Sequence, residues 1–72
     1  SANKALERGG IDNTGNMYLA LGMANFNLQN FDESLAAFNE AKKYQSVAKT
    51  AKQWHMYVMK EYENQQQLAM LN

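Results

Sequence analysis

Seventy-two residues carry seven basic and seven acidic side chains, no cysteine, no proline and a single histidine, His55. A chain this short buries only about 60% of the surface it exposes when unfolded, and it has no disulfide or metal-ligand set to make up the deficit, so support from a neighbouring chain or repeat is expected. Balanced charge excludes the basic field of a nucleic-acid-binding domain. Amides at Asn16, Asn25, Asn27, Gln29 and Asn30 interrupt the longest uncharged stretch, Asn13 to Phe31, which excludes a transmembrane helix there.

The chain opens without an initiator methionine or a charged and apolar leader, so it reads as a fragment, with any targeting signal expected upstream. Period-two alternation is missing, and the good helix formers Ala, Leu, Met, Gln, Glu and Lys dominate. Residues 2–8 read as the end of a helix, with Ala2, Ala5 and Leu6 on one side and Gly9-Gly10 as a left-handed stop. Ile11 to Gly15 is a turn in which Asp12, Asn13 and Thr14 are candidate caps. The next helix is expected over about Gly15 to Leu28, where Tyr18, Leu21, Gly22, Asn25 and Leu28 recur at steps of three and four. Met17, Leu19, Met23 and Phe26 make it apolar on more than one face, which predicts packing on two sides, or packing on one and binding on the other.

After a short Gln29-Asn30-Phe31 turn, Asp32 begins a second helix that ends at Lys42-Lys43. Its inward stripe is Phe31, Ser34, Leu35, Phe38 and Ala41, and its acidic first turn suits the helix dipole. A last helix runs from about Val47 to Leu68 or beyond, with Val47, Ala51, Trp54, Val58 and Tyr62 on one face. Trp54 is predicted to be a buried anchor for that helix. Beyond Tyr62 the pattern weakens into a Glu-Asn-Gln run and an apolar tail of Leu68, Met70 and Leu71.

Residues 15–46 resemble a tetratricopeptide repeat, whose signature is W-x2-L-G-x2-Y, then A-x3-F, then A and a proline. Here the pattern reads Tyr18-x2-Leu21-Gly22-x2-Asn25, Ser34-x3-Phe38 and Ala41, with Asn30 to Ser34 similar to the family's G-D-Y-D-E-A turn. Departures are Tyr18 for Trp, Asn25 for Tyr, Ser34 for Ala and Ser46 for Pro. The resemblance implies an all-α, TPR-like α-solenoid end: 1–14 as the tail of a preceding repeat helix and its turn, 15–46 as one repeat, and 47–72 as a C-terminal capping helix.

The family binds peptides on the groove lined by the first helix of each repeat, which implies Asn16, Leu19, Met23, Phe26 and Asn27 as partner-binding residues. Packing on a preceding helix is an equally good account of them. The run from Gly9-Gly10 through Tyr-Leu-x-Leu-Gly to Ala-Lys-x-Trp is similar to C-terminal repeats of TonB-associated tetratricopeptide proteins. That implies a periplasmic adaptor of TonB-dependent transport with TonB, ExbB or ExbD as partners, against a cytoplasmic alternative.

No catalytic constellation stands out. His55 has no second histidine or cysteine with which to share a metal, and Asp32-Glu33 and Glu61 with Glu63 are accounted for by capping and solvation. No cofactor is implied. Lys42, Lys43, Lys49 and Lys52 form a local basic run that could receive a carboxylate or phosphate, but dipole complementation and a solvated face explain it better. Two function classes follow. One is a non-enzymatic protein–protein interaction scaffold; the other is a structural capping or multimerisation module that pairs with a second copy.

Overall fold

The computed structural model describes residues 13–71, so the expected helix tail at residues 2–8 and the Gly9-Gly10 stop lie outside the described residues. Three helices follow in order: α1, Thr14–Asn27; α2, Phe31–Ala41; and α3, Ala48–Leu71. The architecture is all-α: α1 and α2 form a tight antiparallel hairpin, and the long α3 packs chiefly on α2 and touches α1 only lightly. The boundaries depart from expectation by a residue or so. Phe31 rather than Asp32 opens α2, and Lys42 is its C-cap rather than part of its last turn.

The hairpin turn is closed by hydrogen bonds rather than by glycine. At the end of α1 the Gln29 N–H donates to the Phe26 carbonyl at 2.9 Å, and the Asn30 N–H donates to the Asn25 carbonyl at 2.8 Å. This is the paired 6→1 and 5→2 pattern of a Schellman closure, which needs a left-handed residue after the cap. Gln29 supplies it at φ 64. The Asn30 side-chain amide then donates to the Asn25 side-chain oxygen at 3.3 Å, and the Asn25 amide donates to the Leu21 carbonyl at 2.9 Å. Asn25, where the repeat resemblance has an aromatic residue, therefore serves the turn rather than the core.

Between α1 and α2, glycine sets the distance. A Cβ built on Gly22 would lie 2.6 Å from Cε1 and Cζ of the Phe38 ring, and, where the connection from α2 to α3 crosses α1, one on Gly15 would lie 2.7 Å from Val47 Cγ2. Phe38 fills the space above Gly22 and is fully buried. Beside it the buried Ser34 hydroxyl donates to the Gly22 carbonyl at 2.7 Å. This bond accounts for a serine where the family pattern has alanine, because a buried hydroxyl needs a partner.

On α3, Ala51 and Val58 are buried, as is Val47 just before it, while Trp54 and Tyr62 are half-buried. Trp54 is thus an anchor lying on the core rather than inside it. Its ring stacks on Phe38 at 5.8 Å and 10°. Burying Phe38 and Val58 contributes about 1.5–3 kcal/mol each, so these two residues hold much of the fold. Past Tyr62 every described residue of α3 is exposed, and the helix projects beyond the hairpin.

Candidate partner-binding surface

On α1 the five groove residues divide into two groups. Asn16 and Asn27 are exposed. Leu19 is half-buried and packs, with Tyr18 and Tyr44, against the cluster of Ala41, Val47 and Ala51. Phe26 is half-buried and meets Phe31 edge-on at 5.9 Å and Tyr57 edge-on at 5.6 Å. Met23 lies between them along the helix, also half-buried. Leu19 and Phe26 therefore serve the junction of α1 with α3 as well as any outside surface, while Asn16, Met23 and Asn27 retain more freedom.

Sequence periodicity missed the α3 side of this region. Tyr57 lies off the buried stripe of α3, yet its ring bridges Phe26 and Trp54, meeting Trp54 at 5.8 Å and 90°. Gln53, Trp54 and Tyr57 line a shallow cavity of about 300 Å³. From it a continuous run of rings crosses all three helices, from Phe38 through Trp54, Tyr57, Phe26 and Phe31 to Tyr62, the last pair stacked at 5.1 Å and 13°. Perpendicular rings beside an amide can hold an aliphatic side chain and hydrogen-bond a peptide backbone at once.

A second apolar surface lies on α1. Met17, Leu21 and Leu28 are 51%, 45% and 69% exposed, and with exposed Ala24 they recur at steps of four, three and four along one stripe. Leu21 and Leu28 therefore do not share the packed face with Tyr18 and Gly22, as their spacing suggested.

Electrostatics are local. Burial first, and the nearby Lys42 ammonium second, hold the His55 imidazole below its ordinary value of 6.5. Lys43 pairs with Glu40 at 3.3 Å on the surface, a contact of small energetic weight. Among the described residues no group of three His, Asp or Glu side chains is placed to hold a metal, and no helix is long and apolar enough to cross a membrane.

No protein-family model, curated protein or solved structure matches the chain.

Proposed function

We propose that the chain is a non-enzymatic protein–protein interaction module of the tetratricopeptide kind, forming one end of a helical array. The observation that carries this reading is the apolar stripe Met17, Leu21 and Leu28 left open on α1 while the other side of the same helix is packed. A helix apolar on two faces with one uncovered is built to be covered by something else. A neighbouring helical unit is a fitting cover, since helical repeats bury their core only by stacking.

Alongside it, Met23, Phe26, Gln53 and Tyr57 form an apolar, amide-bearing strip suited to a short extended peptide, with Asn16 and Asn27 as flanking amides for its backbone. Methionine and tyrosine adapt to varied side chains. The resemblance in the sequence extends the proposal to an adaptor of a TonB-dependent transport system, acting in the periplasm on TonB, ExbB or ExbD. The capping reading has support of its own in α3, whose Tyr62 and Trp54 stack on Phe31 and Phe38 and so cover that side of α2.

Panning a phage-displayed random-peptide library against the immobilised chain tests the peptide strip. The expected result is a recurring apolar motif whose binding is lost in Met23→Glu and Tyr57→Ala. Peptides that bind both variants as they bind the parent would remove the strip from the proposal.

A further inference from the structure

The face of α3 that points away from the hairpin has a pattern of its own. Lys49, Lys52, Met56, Met59, Glu63, Gln66 and Met70 recur at steps of three and four, and all are exposed, Met56 by 62% and Met59 by 43%. This seam lies on another flank of the helix from Gln53, Trp54 and Tyr57, so it is separate from the peptide strip and does not depend on it. Among the described residues neither Lys52 nor Glu63 has an ion-pair partner; the ion pair there is Lys43 with Glu40. A seam with heptad spacing and no described residue packed against it is the side of a helix pair awaiting its second helix.

We propose that this seam pairs with a second copy of the chain, α3 against α3 and antiparallel, on a two-fold axis between Met56 and Met59. The order of residues identifies the partner. Lys52 stands four residues before Met56 and Glu63 four residues after Met59; Lys49 and Gln66 stand three residues further out on either side. Reversing the helix about that midpoint puts Met56 against Met59 of the partner subunit, Lys52 against Glu63 of the partner subunit, and Lys49 against Gln66 of the partner subunit. Two-fold contacts repeat every pairing twice. A parallel arrangement would instead set Lys49, Lys52 and Glu63 each against its own copy, so like charges exclude it.

Two methionines at the centre supply an adaptable apolar contact, and the charged pairs fix direction and register more than strength. A single helix-on-helix seam falls in the class of small interfaces below about 1,200 Å², so the dimer is a transient one of micromolar or weaker affinity.

Sedimentation equilibrium of the full chain, with Lys52→Glu and Glu63→Lys as variants, tests this. Each reversal turns two attractive contacts into repulsive ones and is expected to weaken self-association at least about tenfold. Mixing the two variants one to one restores both attractive pairs in a heterodimer, so the mixture associates at least as well as the parent. Raising salt from about 0.05 M to about 0.5 M weakens parent and mixture alike. Both sites are exposed, and circular dichroism checks that the helices are intact. Because the chain has no cysteine, Met56→Cys mixed with Met59→Cys should cross-link on oxidation in preference to either variant with itself. A chain that stays monomeric at millimolar concentration, variants that associate as the parent does, or a mixture no better than its components would each overturn the proposal. Loss of the peptide strip in Met23→Glu would leave all these results unchanged.

Discussion

Gly22→Ala sets two known effects against each other. Inside an exposed helix the change should stabilise by about 1 kcal/mol, because glycine loses more backbone freedom on folding. Here the new methyl group would lie 2.6 Å from two atoms of the Phe38 ring and 2.7 Å from a third. The ring must move by nearly an ångström to reach ordinary contact. It is 0% exposed and stacked on Trp54 at 5.8 Å, so moving it displaces α3 as well. Overpacking of this kind costs roughly 1–3 kcal/mol. The steric cost should win, leaving a net loss of about 1 kcal/mol and a melting temperature lower by about 4–8 °C for a domain of this size. Thermal melts by circular dichroism, run below the concentration at which copies associate, read the effect. The same change in a Phe38→Leu background should be neutral or stabilising, since the obstructing ring edge is gone. A single Gly22→Ala variant that melts higher than its parent would refute the close approach of α1 and α2.

Three further outcomes follow from the same packing. Trp54→Ala removes the ring stacked on Phe38 and edge-on to Tyr57, and should cost about 3 kcal/mol, a large part of a small domain's stability; a urea midpoint unchanged from the parent would contradict it. Gln29→Gly relieves a non-glycine residue held at φ 64 and should raise stability by about 0.5–1 kcal/mol, seen as a higher melting temperature, whereas a drop would mean that the turn is closed differently. The folded-state pKa of His55 is depressed by burial and then by Lys42, so the unfolded chain binds more protons just below pH 6.5. Stability is therefore fully present above that value and falls as pH drops through the lowered folded-state pKa. Melting temperatures across this window should slope less in His55→Gln, and an unchanged slope would assign the effect to other groups.

The packed stripes of α2 and α3 were legible in the sequence, because Phe31, Ser34, Phe38 and Ala41, and then Ala51 and Val58 with Val47 just ahead of them, recur at helical spacing in segments that also carry charged residues (Asp32, Glu33 and Glu40; Lys49, Lys52 and Lys60), which α1 lacks. Gly22 was legible for a related reason: glycine inside a helix implies close approach. The orientation of α1 was not. It is apolar nearly all round, so spacing alone could not separate the packed Leu19 and Phe26 from the open Leu21 and Leu28. Tyr57 escaped because its contacts come from a neighbouring helix rather than its own periodicity. The bond from Ser34 to the Gly22 carbonyl depends on a distance between helices that no local pattern encodes. Gln29 also gave no warning, since left-handed closure is usually read from glycine or asparagine.

Site-specific photo-crosslinking, with benzoylphenylalanine placed in turn at Leu21, at Met23 and at exposed Asn39 on α2, tests most directly whether this chain exists to hold another protein. Carried out in the protein's own cell, it should give discrete adducts from Leu21 and Met23 and none from Asn39, with the Met23 adduct lost when Tyr57 is also replaced by alanine. A folded chain that yields no adduct from either α1 position, or the same adducts from Asn39, would contradict the interaction reading.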